Sequence, residues 1–100
     1  MPEYLIAKEL FRLTIEAAVV REQGVEFVVI SVKTYVLVSG ASKIEEVRSG
    51  FSHYFPGRPI ILVAKNMRGG LTYHGKPDIV RFLTSIHPSQ LPWKRYTFSD

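Results

Sequence analysis

Apolar residues at the start of the chain recur at two spacings that point to different structures. Steps of four and three, typical of one helical stripe, connect Ile6, Leu10, Leu13, Ala17 and Val20. The stretch from Leu10 to Val20 also alternates apolar and polar residues as a strand does, with REQG as a hairpin turn. Because strong helix formers lead into the segment, we favour a helix over residues 4–23.

Residues 25–38 form the longest apolar run of the chain. The run, VEFVVISVKTYVLV, is rich in β-branched and aromatic residues and has no Gly or Pro. It predicts one long strand, or two strands joined by a bend near Lys33 and Thr34. Both faces are apolar from Val28 to Ile30, so we expect a central strand covered on both sides.

A helix is predicted next. Ser42 and Glu45 have the spacing of a capping box, in which each side chain accepts a hydrogen bond from the other residue's backbone amide. The apolar face of this helix consists of Ile44, Val47, Phe51 and Tyr54. We expect the helix to end before Pro56-Gly57.

Residues 59–86 read as strand, glycine turn, strand and amphipathic helix in one continuous run. Pro59 is tolerated at the first position of a strand, and the following IILVA indicates a buried strand. Gly69-Gly70 predicts a turn into an antiparallel partner from Leu71 to His74. Asp78 is the expected N-cap of a helix over residues 78–86.

The tail, residues 87–100, is too aromatic for a plain disordered end. We expect Trp93, Tyr96 and Phe98 to dock back on the domain, with a short edge strand from Arg95 to Phe98.

These elements predict one compact α/β domain over residues 1–100, with the order α-β-α-β-β-α and a mixed sheet of three to four strands. A strand, a helix and a strand in succession imply a parallel pair joined by a crossover. The βαββα order from residue 25 onward, with Pro59 at the entry of the penultimate strand, resembles the core of thioredoxin-like proteins. That family's redox motif needs cysteines, which this chain lacks, so the resemblance implies topology only.

The composition excludes several kinds of site. Without cysteine, the chain has no disulfide, thiolate metal site or cysteine nucleophile. No spacing of His, Asp or Glu matches a metal motif, so we expect neither a metal nor a cofactor. The longest apolar run contains charges and is shorter than the roughly 20 residues of a membrane helix, and the first residues lack the plan of a secretion signal. We therefore expect a cytoplasmic protein that does not bind membranes.

Positive charge is concentrated in the second half of the chain. The formal net charge is +4, and residues 51–100 carry seven Lys or Arg against two Asp. This asymmetry is compatible with a surface for nucleic acid or an acidic partner, and equally with an ordinary solvated surface.

The segment KNMRGGLTYHGK is the best local candidate for a ligand site. It gathers cations and a histidine around a glycine turn whose amides could face an anion together, although a plain hairpin turn requires the same glycines. The start of helix 78–86 adds a cation and free amides, unless Asp78 caps them. The residues assigned to this anion or ligand site are Lys65, Arg68, His74, Lys76 and Arg81.

The tail interleaves aromatic and cationic residues, as single-strand nucleic-acid surfaces do. Alternatively, the aromatic residues cover the sheet edge or form a dimer interface. The residues assigned to this interaction surface are Trp93, Lys94, Arg95, Tyr96 and Phe98.

No nucleophile motif appears, and we assign no catalytic residue. We expect a small non-catalytic module that binds a protein partner or a second copy of itself. A first alternative is a nucleic-acid-binding protein that uses Arg68, Lys76, Arg81, Lys94 and Arg95. A second alternative is a small-ligand or catalytic domain with a site near His74.

Overall fold

The computed structural model describes residues 13–22 and 24–98. Its elements are β1 (Leu13–Glu22), β2 (Val25–Ser31), α1 (Thr34–Leu37), α2 (Ala41–Ser52), β3 (Ile60–Lys65), β4 (Leu71–His74), α3 (Pro77–Thr84) and β5 (Trp93–Phe98), with a 3₁₀ turn at Pro88–Gln90. The strands form one mixed sheet in the order β4-β3-β2-β1-β5. The described chain is a compact single α/β domain, and its sheet has five strands rather than the expected three to four.

The first described element is a strand, so the helix prediction for residues 4–23 is wrong where the structure describes it. β1 forms a hairpin with β2 around Gly24, whose φ is +79°, and pairs on its other side with β5. Ala17 faces one core and Ala18 faces the other, and both are fully buried. A strand covered on both faces overrides local helix propensity. Residues 4–12 of that prediction lie outside the described residues.

The strand expected over residues 25–38 ends at Ser31. β1 pairs with β2 only as far as Ile30, and the backbone amide of Val32 still donates to the Val63 carbonyl at 2.9 Å. Beyond that point the chain bends at the expected place but forms the single helical turn α1 instead of a strand. The Thr34 hydroxyl donates to the Lys65 carbonyl at 2.9 Å, which ties this turn to the end of β3.

Helix α2 is present as expected, but the capping box is not. The N-cap is Gly40, with φ +100°, and no side chain caps the helix. Ser42 therefore lies inside the first turn, and the Glu45 carboxylate pairs with Arg48 instead of a backbone amide. With Gly40 as the N-cap, the helix begins two residues earlier than it would with Ser42 as the N-cap.

The order predicted for residues 59–86 is confirmed. β3 runs parallel to β2 and antiparallel to β4. Helix α3 begins at Pro77 after the N-cap Lys76, so Asp78 is not the N-cap. Its carboxylate lies in the first turn and accepts a hydrogen bond from the Ile79 amide at 2.9 Å, which suits the positive end of the helix dipole.

The described part of the tail contains an edge strand, β5, which is longer than the predicted strand from Arg95 to Phe98. β5 pairs antiparallel with β1 from Trp93 to Phe98. The Tyr96 and Phe98 rings pack on buried Phe55, with centroids 5.6 and 5.8 Å from it. The Trp93 indole donates to the Pro88 carbonyl at 2.9 Å. These contacts hold the strand against the body of the domain.

The sheet has a hydrophobic core on each face. Helix α3 and Leu91 cover one face, where Ile79 and Leu83 pack on alternate residues of β1, β2 and β3. Helices α1 and α2 cover the other face, where Ile44 and Phe55 are buried. No helix in residues 13–22 and 24–98 is long and apolar enough to cross a membrane.

Candidate functional site

A concave pocket of about 470 Å³ lies where three segments meet: the polar side of α2, the entry of β3, and the turn from β4 into α3. Because β3 and β4 are antiparallel, the first residues of one strand adjoin the last residues of the other. The lining residues are Glu45, Arg48, Ser49, Ser52, Arg58, Pro59, Ile60, His74, Gly75, Lys76 and Pro77. Most of the side chains around the pocket are therefore polar or charged.

Three cationic side chains reach this pocket from three different segments. Arg48 comes from α2, Arg58 from the residues before β3, and Lys76 from the N-cap of α3. Glu45 is the acidic residue among the lining side chains. The pocket therefore carries an excess of positive charge, which favours an anionic ligand.

Both arginines already hold a carboxylate of their own chain. Arg48 Nη2 lies 2.7 Å from Glu45 Oε1, one helical turn away. Arg58 pairs with Glu26, which Arg21 also holds at 2.9 Å across the β1–β2 hairpin. These pairs orient the guanidinium groups beside the pocket. Lys76 forms no ion pair with any residue in the described ranges.

His74, at the end of β4, also lines the pocket. Its Nδ1 atom is buried and, among the described residues, has no hydrogen-bond partner. Buried polar atoms are normally paired, so Nδ1 is an unsatisfied polar atom in a residue that lines the pocket.

The neighbouring side chain, Tyr73, points to the opposite face of β4 and packs against the core beneath α3. Its hydroxyl is also buried without a partner in the described chain. Burial removes water from the phenol and raises the pKa of Tyr73 above its ordinary value, because the charged phenolate is disfavoured. Tyr73 therefore belongs to the core and not to the pocket.

The predicted anion site is divided by the β3–β4 hairpin. His74 and Lys76 line the pocket, whereas Lys65 and Arg68 lie at the other end of the hairpin. The backbone amides of this turn, which the sequence suggested could bind an anion, already have a partner. The Asn66 side-chain oxygen accepts from the backbone amide of Arg68 at 2.9 Å and from that of Gly70 at 3.1 Å. This turn is thus closed by its own asparagine.

The other predicted cations are spread over the molecule. Lys94 and Arg95 are exposed on β5, at one edge of the sheet, and Arg95 approaches Glu16 at 3.4 Å. Lys76 follows β4, at the opposite edge, and Arg81 is exposed on α3. Nucleic-acid binding through these residues stays a prediction.

Sequence reasoning missed the contributions of α2 and of the segment before β3. Glu45, Arg48, Ser49 and Ser52 follow the three- and four-residue spacing of one helix face, which is a readable signal for a polar surface. Nothing in the local sequence shows that this face lies next to Arg58 and His74. That proximity requires the parallel placement of β3 beside β2.

A second concavity, of about 770 Å³, lies at the far end of the sheet and is lined mainly by apolar residues. Val36, Val47 and Phe51 line it, and Tyr35 stands at its border. Tyr35 and Val38 are each 71% exposed, and Met67, in the nearby β3–β4 turn, is 95% exposed. We call the exposed apolar residues at this end, Tyr35, Val38, Met67 and Leu71, the apolar end.

No protein-family model, no curated protein and no solved structure matches the chain. The resemblance to thioredoxin-like proteins therefore rests on element order alone. Among residues 13–22 and 24–98, no three His, Asp or Glu side chains gather in a way that could hold a metal ion.

Proposed function

We propose that this protein binds a small anionic ligand in the pocket between α2, the entry of β3 and the β4–α3 turn. The observation that carries the proposal is that Arg48, Arg58 and Lys76, which come from three different segments, line one concave surface together with His74. A volume of about 470 Å³ is within the range of small-molecule sites, roughly 300–1,000 Å³. Phosphate and carboxylate groups match these donors, since guanidinium and ammonium groups form charge-assisted hydrogen bonds with both.

Replacement of Lys76 by glutamine should weaken phosphate binding about tenfold, the effect of losing one hydrogen bond to a charged group. Titration of the labelled protein with inorganic phosphate, followed through the backbone amide signals of Gly75 and Ser49, measures the affinity. Sodium chloride at equal ionic strength corrects for general salt effects.

Lys65→Gln is the matched control, because it removes the same charge from an exposed lysine at the other end of the hairpin. We expect this variant to bind phosphate within about twofold of the unmodified protein. Equal weakening in both variants would show that phosphate responds to net charge only. Absence of any phosphate-dependent shift at the pocket amides would refute the proposal.

A second candidate function, association with a second copy of this chain, is supported by the apolar end. Tyr35 projects beside the second concavity, so one surface contains both a projection and a hollow, as a two-fold interface requires. Exposed apolar groups clustered in this way are unusual on a surface that remains in water. This candidate continues the sequence-based expectation of a self-associating module, with the interface at the apolar end instead of at the tail residues Lys94 to Phe98.

Light scattering at increasing protein concentration tests the association. We expect a dimer whose dissociation constant rises at least about tenfold in Tyr35→Ser, because large aromatic residues dominate interface energies. Val25→Ser is the control, since Val25 is an exposed apolar residue at the start of β2, away from the apolar end. A strictly monomeric protein at high concentration would rule out this candidate.

A further inference from the structure

Glu45 has an unusual position for a residue of an anion pocket. Its carboxylate lines the pocket together with Arg48, and both carboxylate oxygens lie within 2.9 Å of the same Arg48 nitrogen, Nη2. The carboxylate thus occupies Nη2, one of the three guanidinium nitrogens through which Arg48 could bind the anionic group of a ligand. The pocket contains an internal competitor for its own ligand.

We propose that the ligand binds by exchange, its anionic group replacing the Glu45 carboxylate on Arg48, and that this exchange selects a doubly charged phosphate group. The inference rests on the proposed function, because it describes how the same pocket is occupied. In this proposal, Glu45 sets the affinity and specificity of the pocket for its ligand through its contact with Arg48.

The exchange is easy because the internal pair is weakly held. Glu45 and Arg48 are three residues apart on α2, and the Glu45 side chain is 52% exposed. Exposed pairs at this spacing shift an equilibrium only about twofold, so an incoming anion displaces the carboxylate at little cost. After displacement Glu45 can rotate into water, since half of its side chain already faces it.

The binding free energy gained by the exchange depends on the charge of the ligand. A monocarboxylate replaces Glu45 with a group of the same charge and similar geometry, so the contact with Arg48 changes little. A phosphate dianion brings a second charge and a third acceptor oxygen, which Lys76 and Arg58 can also approach from the other sides of the pocket. The arrangement therefore favours inorganic phosphate or a phosphomonoester over a carboxylate.

The test compares Glu45→Gln with Glu46→Gln. Glu46 neighbours Glu45 on α2, pairs with Lys43 at i,i+3 and does not line the pocket, so the two variants change net charge and helix pairing alike. Inorganic phosphate, glycerol phosphate and acetate are titrated at pH 7.5, and the pocket amide signals report binding. We expect Glu45→Gln to tighten phosphate about fivefold, because it removes both the competitor and a nearby like charge, and Glu46→Gln to change it less than twofold.

A double-variant cycle separates the exchange from general electrostatics. In an Arg48→Gln background, Glu45→Gln should tighten phosphate only about two- to threefold, because the like charge is still removed but Glu45 then has no guanidinium to occupy. Equal effects of Glu45→Gln and Glu46→Gln, a fivefold gain that persists without Arg48, or acetate binding as tightly as phosphate would each overturn the inference while leaving the pocket as an anion site.

Three further outcomes bear on the inference and on the proposed function. Phosphate binding by Glu45→Gln but not by the unmodified protein overturns the exchange, because the Glu45 carboxylate then blocks Arg48 instead of leaving it for the ligand. If neither the unmodified protein nor Glu45→Gln binds any of the anions, both the proposed function and the exchange are refuted. Binding of glycerol phosphate but not of inorganic phosphate assigns the site to phosphomonoesters, and the reverse assigns it to the free anion.

Discussion

Replacing Phe55 with alanine should lower the free energy of unfolding by about 3–5 kcal/mol. Phe55 is 4% exposed in the loop between α2 and β3, and the Tyr96 and Phe98 rings of β5 meet its ring edge-on. Truncation removes the ring contacts and leaves a cavity between the loop and β5. Urea unfolding followed by circular dichroism measures the loss of stability. An unchanged dependence of the unfolding free energy on urea concentration indicates that folding stays two-state.

Tyr35→Ala provides the comparison for this prediction, because it removes an aromatic ring that is largely exposed. At a protein concentration where the chain is monomeric, we expect this variant to change stability by no more than about 0.5 kcal/mol. Amide hydrogen exchange should also quicken in β5 of Phe55→Ala before it quickens in β2. Equal losses in the two variants would contradict the packing of β5 on Phe55.

Replacing Gly75 with alanine should also destabilise the domain, by about 1–3 kcal/mol. A Cβ atom at Gly75 would overlap the Ile61 side chain and come within 3.1 Å of the Ile60 carbonyl oxygen. Ile61 is fully buried between β2 and β4, so its side chain has no free volume to move into. Either β3 or the turn that carries His74 and Lys76 must shift. Thermal or urea unfolding measures the effect.

Gly50→Ala is the matched control, with the opposite sign expected. Gly50 lies within α2, and a Cβ atom there meets nothing within 4 Å. Alanine is favoured over glycine in a helix by roughly 0.8–1 kcal/mol, so this variant should be more stable than the unmodified protein. A Gly75→Ala protein as stable as Gly50→Ala would show that the β4–α3 turn is not packed against β3 in the way described.

The elements from α2 to α3 could be read from the chain because their signals are local. The apolar run of β3, the glycines of the following turn and the periodicity of α3 each specify one structure within a few neighbouring residues. Helix ends were less readable. Gly40 and Lys76 became the N-caps although Ser42 and Asp78 are the residue types that favour this position.

The first hairpin could not be decided locally because its sequence satisfies two periods at once. Alanine residues at positions 17 and 18 fit a helix well, yet both are fully buried in β1, one against each core. The pairing partners that make this arrangement stable are β2 and β5, and β5 lies about eighty residues further along the chain. The residues that neighbour β1 in the sequence therefore carry no information about its pairing with β5.

The residues of the candidate pocket also divide into those with a local sequence signal and those without one. Two of its residues, His74 and Lys76, belong to a segment that the sequence marked as polar and glycine-rich, and they were assigned to a ligand site from that signal. Arg48 and Arg58 were not assigned, because each is an ordinary surface residue in its own segment. Their common location depends on the crossover through α2 that places β3 beside β2.

By itself, the sequence determined the α/β class, the lack of cysteine chemistry and the succession of elements from α2 to α3, since these depend on composition and on contacts between near neighbours. The tertiary structure alone decided that residues 13–22 form a strand, that β5 completes the sheet, and that three cations and a histidine face one pocket. These features depend on pairing and packing between segments far apart in the chain, where the free energy of burying both sheet faces outweighs local preference.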